Sequence, residues 1–359
     1  MRTAWQGKYS VAKGTIHDSI HLRTHWQKFR RANGLHRGFT MDRLSSQLDR
    51  ADEHAVDTDE SLIGFGPGEE HLIAESRHHL GINRQLFDLS ELDVMYQAEH
   101  AALWTFMRPS GRPSFTPPML RDFDDWQRLI VENFGPAQVP LRYLILGSRA
   151  PGVFCFGGDL QLFERLIRSR DRDSLARYGY RCVEILHRNM NSLDLPMLTI
   201  GLVQGAALGG GFEALLSFDY IVAERDATFG LPEVLFGLFP GMGAHAILSR
   251  KLGTAMADRL IVSNHTYTAE EMYELGLVHH LAENGEGLAA CEEFIKKSER
   301  RHPGLVNARK AMKLTNPIGL SELKRIVDLW AEAALQLTDG DLKIMARLTR
   351  AQERLSHAA

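Results

Sequence analysis

Cysteine is scarce in this chain of 359 residues. Cys155, Cys182 and Cys291 lie far apart and form no CxxC pair. That excludes a disulfide framework and a cysteine-rich zinc site, and it fits a reducing cytoplasm. Long hydrophobic runs are missing too, since no stretch approaches the roughly 20 apolar residues that span a bilayer. The N-terminus lacks the apolar core of a signal peptide. The net charge of −3 is too small and of the wrong sign for nucleic acid as the main partner. His78–His79 and His279–His280 have no companions at metal-ligand spacing, so neither a metal nor another cofactor is expected. No internal repeat or low-complexity tract stands out.

What remains is the composition of a globular protein, 44% hydrophobic and 24% charged. Charge is uneven at the start. Residues 1–43 carry nine Lys/Arg against two Asp/Glu, whereas 44–70 carry one Arg against eight Asp/Glu. With weak apolar periodicity, residues 1–70 read as a poorly ordered charged extension. A catalytic core is expected over 71–255 and a helical part over 256–359. Apolar runs at 141–148 and 197–205 read as buried strands, and 221–226 as a third. Helical spacing marks 119–134, 160–171, 175–193, 212–220 and 323–337. Short apolar strands alternating with helices imply crossover connections and mainly parallel pairing, an α/β fold.

Three stretches put glycine beside an acid. "FCFGGDLQLF" (154–163) and "QGAALGGGFEALLS" (204–217) sit where a strand passes into a helix, and "TFGLPEVLFGLFPGMGA" (228–244) follows. Glycine lets a backbone amide approach a ligand with no Cβ in the way. Amides from two such junctions could converge on one oxygen as an oxyanion hole, and Glu213 and Glu233 beside it would move protons. Each piece has a plainer reading. A glycine run before a helix serves close packing, and an acid in a first turn serves the helix dipole. His245 reads as a structural histidine.

In this order and spacing the three segments resemble the crotonase (enoyl-CoA hydratase/isomerase) superfamily. Its signature runs G-x-D-(I/L), then x-(N/Q)-G-x-A-x-G-G-G-x-E, then P-E-x-x-x-G-x-x-P-G-x-G. Residues 157–160, 203–213 and 232–243 match these. Within the superfamily the sequence is most similar to the DSF synthases, bacterial enzymes that make cis-2-unsaturated fatty-acid signals. "FGGDLQLF", "LVQGAALGGGFEALLS", "GLPEVLFGLFPGMGA" and "LWAEAALQL…MARLTRAQ" carry that similarity, over roughly residues 90–355.

The resemblance implies a crotonase (ClpP-like) fold, a spiral of ββα units with a helical C-terminal part. It implies that the Gly158 and Gly210 amides form the oxyanion hole and that Glu213 and Glu233 are the acid/base pair. Leu208, Gly209, Met242 and Trp330 would line the acyl pocket. The reaction implied is dehydration of a 3-hydroxyacyl thioester to a 2-enoyl thioester, then hydrolysis to a free cis-2-unsaturated acid. Many relatives carry Lys where this chain has Gln161, which favours acyl carrier protein over CoA as carrier, although Arg165 and Arg168 follow. A homotrimer or dimer of trimers is implied, and a sensor kinase is a further partner known in the family. Two other readings stay open: an enoyl-CoA hydratase/isomerase of fatty-acid metabolism, and a crotonase-fold regulator that binds a signalling partner.

Overall fold

The backbone of residues 81–357 and the side chains of 81–352 are described by a computed structural model. The charged extension expected over 1–70 and the pair His78–His79 lie outside the described residues. Ten strands form two sheets among those residues. The larger sheet contains β1 (Leu92–Gln97), β2 (Ala102–Met107), β3 (Tyr143–Ser148), β5 (Leu198–Val203), β7 (Tyr220–Glu224) and β10 (His280–Ala282), in that order. Only β1 and β2 pair antiparallel; each later neighbour is parallel. Every residue of β2 and β5 is buried. Strands covered on both faces need continuous apolar runs, which is what the sequence shows at 197–205.

The smaller sheet has the order β4 (Val153–Cys155), β6 (Ala206–Leu208), β8 (Thr228–Gly230) and β9 (Tyr267–Thr268). The first three are parallel neighbours. Each follows a strand of the larger sheet, so the chain repeatedly makes one long strand, one short strand and a helix. This is the expected spiral of ββα units.

The helices, in chain order, are α1 (Pro117–Asn133), α2 (Leu160–Arg168), α3 (Arg172–Met190), α4 (Gly210–Leu215), α5 (Ala244–Leu252) and α6 (Thr254–Val262). After them come α7 (Ala269–Glu274), α8 (Gly287–Ser298), α9 (His302–Thr315), α10 (Leu320–Ala334) and α11 (Asp339–His357). Helix α1 shows how the sequence specifies one. Thr116 caps it by accepting from the Met119 N–H, two prolines open its first turn, and Leu120, Phe123, Trp126, Leu129 and Ile130 turn inward.

Two readings from sequence need correction. Helix α4 spans Gly210–Leu215 rather than 212–220, because Ser217 and Phe218 bond back to the carbonyls of Ala214 and Leu215 in turns. The helical part beyond residue 255 also contains β9 and β10, and β10 completes an edge of the larger sheet. Both are too short, two and three residues, to leave a periodic signal.

Candidate active site

The short strands explain why three separated glycine-rich segments meet. Strands β4, β6 and β8 lie side by side and point the same way. Their C-terminal ends therefore lie together. Immediately after them come Gly157–Gly158, Gly209–Gly211 and Pro232–Glu233 respectively. Ligands bind at such carboxyl ends of parallel strands because the chain leaves the sheet there and exposes its amides.

The three glycines before α4 have distinct physical reasons. Gly209 has φ +53°, and a Cβ on it would fall 2.7 Å from Oε1 of Glu233. A Cβ on Gly211 would fall 2.2 Å from the Cys155 carbonyl oxygen, so close packing does account for that one. A Cβ on Gly210 would meet Sδ of Met242 at 2.6 Å and the Gly158 nitrogen at 3.5 Å. The amides of Gly158 and Gly210 thus stand together, and among the described residues neither donates to a protein acceptor.

The Gly158 loop is held from below. Asp159 caps α2 by accepting from the Leu162 N–H and pairs with Arg112 Nη2 at 3.0 Å, with both side chains about nine-tenths buried. The Tyr178 hydroxyl, carried on α3, accepts from the Asp159 N–H and donates to the Phe115 carbonyl. The sequence reading missed Tyr178 and Arg112. Their role rests on contacts across 19 and 47 positions of the chain, for which no local pattern exists.

Glu213 is 1% exposed. Its Oε1 accepts from the N–H groups of Met242, at 2.8 Å, and Ala244, at 2.9 Å. It thereby satisfies the start of α5, whose N-cap residue, Gly243, has no side chain to do so. Burial raises the Glu213 carboxyl to about 7, and the backbone donors oppose that rise. Glu233 follows Pro232 at the start of a single 3₁₀ turn. Its Oε2 is buried with no hydrogen-bond partner. Burial first, then the charge of Glu213, raise this carboxyl well above the ordinary range. The contrast has a clear cause: the Met242 and Ala244 amides donate to Glu213 Oε1, whereas Glu233 Oε2 has no partner. Glu213 is therefore the member that ionises, and Glu233 keeps the proton.

Both carboxyls and both amides face one cavity of roughly 910 Å³ including its mouth. The residues expected from sequence to form the acyl pocket, Leu208, Gly209, Met242 and Trp330, all line it. Trp330 comes from α10. Its ring meets Phe163 edge-on at 5.0 Å and covers Gly241, where a Cβ would fall 2.7 Å from it. Phe156, Phe236, Leu238 and Leu348 add apolar wall that the sequence reading did not single out. His245 is absent from this wall. Burial lowers its imidazole below the ordinary histidine range, and its ring packs edge-on against Phe239. His279 accepts from the Ile221 N–H and is pushed down to about 4, chiefly by burial. The three cysteines are buried and free, and burial pushes the Cys155 thiol up to about 12. Among the described residues no cluster of three or more His, Cys, Asp or Glu could hold a metal.

The family model "Enoyl-CoA hydratase/isomerase" matches residues 136–317, half of the chain. The chain belongs to this family. An enoyl-CoA isomerase/hydratase from Mycosarcoma maydis, fer4, is 32% identical over 230 residues, which is 62% of this chain and 80% of that protein. A human mitochondrial enoyl-CoA hydratase domain-containing protein 2 is 40% identical over 154 residues, 42% of this chain and half of that protein. Among solved structures, an enoyl-CoA hydratase from Bacillus halodurans superposes with a TM-score of 0.59 at 22% identity, covering 72% of this chain and all of that one. The fold is thus the crotonase fold that the signature implied. In a hydratase/isomerase of this family, a pair of amides and a carboxyl pair sharing a proton have a direct chemical use: they suit a thioester whose Cα gains or loses a proton.

Proposed function

We propose that this enzyme removes water from a 3-hydroxyacyl thioester. The thioester oxygen would lie between the Gly158 and Gly210 amides, which stabilise the enolate-like charge that develops when the α-proton leaves. Of the two carboxyls, one takes that proton and the other gives its proton to the departing hydroxyl. The products are a 2-enoyl thioester and water. The observation that supports this reading is the unequal carboxyl pair, Glu213 with the Met242 and Ala244 amides on Oε1 and Glu233 with an unpartnered Oε2, on the cavity that also holds the two amides. A site for proton transfer needs one acid and one base at the same pH, and this arrangement provides them.

We further propose that a second step hydrolyses the thioester in the same cavity and releases a cis-2-unsaturated fatty-acid signal. Water would add to the thioester carbonyl, the same two amides would hold the tetrahedral oxyanion, and the C–S bond would break as the thiol leaves with a proton. Support for this step is the similarity to the DSF synthases in the segments around Gly158, Gly210, Glu233 and Met242. The carrier in this reading is acyl carrier protein. Gln161 and Arg165 are exposed on α2, and Arg168 pairs with Glu164 and Asp339. A CoA-linked hydratase/isomerase is the competing reading, favoured by the names of the relatives in the family. Mass spectrometry distinguishes them. Expression in a bacterium that makes no such signals should release free 2-enoic acid. Enoyl-CoA accumulating with no free acid would refute the second step and leave the first intact.

A further inference from the structure

A second cavity, of roughly 480 Å³ including its openings, lies between α1, α3 and the end of α4. Met242 borders it and the catalytic cavity alike, but Gly158, Gly210, Glu213 and Glu233 line only the catalytic one. Five aromatic rings wall the second cavity: Phe115, Phe123, Trp126, Phe154 and Phe218. Phe115 and Trp126 each meet Phe123 edge-on, at 6.1 and 5.8 Å between ring centres. The Trp126 indole N–H is already used, since it donates to Thr105 Oγ1.

Two side-chain amides interrupt this apolar wall, Gln127 at 2% exposed and Asn189 at 5%. Their nitrogen ends are fixed. Gln127 Nε2 donates to the Ile185 carbonyl, and Asn189 Nδ2 to the Ser217 hydroxyl, which itself donates to the Ala214 carbonyl. Turning either amide over would set oxygen against oxygen. Their own oxygens, Gln127 Oε1 and Asn189 Oδ1, are buried with no donor. Ile185 stands one helical turn before Asn189 on α3, so the two amides are neighbours. A buried acceptor left without a donor is costly, and the aromatic wall supplies none. We infer that this cavity is a second, non-catalytic binding site for a small neutral aromatic molecule with an O–H or N–H donor, the class of phenols and indoles. Its ring would pack edge-on or offset against the wall while its donor meets an amide oxygen. A cation is disfavoured, because no carboxylate lines the cavity to pair with it. An alkyl chain would cover the two oxygens and leave them unpaired. The inference is independent of the thioester reading, since none of the four groups of the proposed reaction lines this cavity.

The test is a ligand-observed NMR titration of the full chain with phenol and with toluene, which has the same shape and no donor. Both should bind the wild type, with phenol at least as tight as toluene even though water holds phenol more strongly. Asn189→Leu and Gln127→Met each remove one acceptor. At least one of them should shift the preference toward toluene by about fivefold, the worth of a neutral hydrogen bond. Ile185→Phe and Leu120→Phe add bulk from α3 and α1 and should weaken both probes together. A wild-type preference for toluene needs no variant and would overturn the inference by itself. So would an unchanged preference in both acceptor variants, or affinities untouched by both bulky variants, which would place the probes elsewhere. Failure of either probe to bind would also overturn it, and would leave the two oxygens to a bridging water.

Discussion

At the scale of single residues, Glu213 carries a consequence for pH. Its carboxyl is held near 7 by burial, above the ordinary 4.5. Catalysis that needs it ionised should rise with pH, with an acidic limb in kcat/KM near 7. The same shift acts on stability with the opposite sign. A carboxyl whose pKa is higher in the folded state contributes stability that is full below 4.5 and lost as pH rises through about 7. Glu213→Gln keeps an oxygen for the Met242 and Ala244 amides but never charges. Its unfolding free energy should therefore exceed that of the wild type at pH 8, by on the order of a few kcal/mol, and the gap should close below the acid range. Denaturant titrations at several pH values measure this; a gap that persists in acid would mean a different cause. Meanwhile Glu213→Gln and Glu233→Gln should each slow dehydration by roughly 10²–10⁴-fold while remaining folded.

Gly210 belongs to the same scale because its contribution is an amide. Gly210→Val puts a branched side chain between Met242 and the Gly158 nitrogen. Dehydration of a 3-hydroxyacyl thioester and hydrolysis of a 2-enoyl thioester should fall together, each on the order of 10²–10³-fold. A folded variant that loses only one of the two activities would show that they do not share an oxyanion site.

At the scale of elements, the amides are only as well placed as the loop after β4. That loop is tied to α2 by Asp159, to residues 112–115 by Arg112 and the Phe115 amide, and to α3 by Tyr178. Tyr178→Phe deletes one hydroxyl that serves two backbone groups, the Asp159 amide and the Phe115 carbonyl. Leaving them unpaired costs about 1–3 kcal/mol. The loop that carries Gly158 should loosen, and, if its amide serves the proposed reaction, kcat should drop on the order of tenfold with little change in KM, since misplacement harms the transition state more than binding. A thermal midpoint that falls while kcat holds would assign Tyr178 to stability alone.

At the scale of the whole molecule, among the described residues no helix is long and apolar enough to cross a membrane. Several large apolar side chains nevertheless face outward, Leu314 at 82% exposed and Met312 and Leu329 at more than half. The homotrimer implied by the resemblance would give such side chains a surface to cover them. Light scattering at micromolar concentration should return three or six times the mass of the chain, and a monomer would remove the idea.

The sequence by itself determined the strand–helix alternation and the mainly parallel larger sheet, because continuous apolar runs at 141–148 and 197–205 fit strands buried on both faces. It also singled out Gly158, Gly210, Glu213 and Glu233, since their spacing is a signature that needs no coordinates. It did not reveal the smaller sheet, whose strands of two or three residues are too short to stand out from the loops beside them. That sheet brings the four groups to one place. Tertiary structure alone decided how different the surroundings of the two glutamates are. Their local sequences are alike in having an acid near the start of a helical turn. What differs is that the turn at Met242–Ala244 folds back to place its amides on Glu213, while nothing donates to Glu233 Oε2. A carboxyl's charge state depends on the donors and the burial around it, and both come from residues distant in the chain.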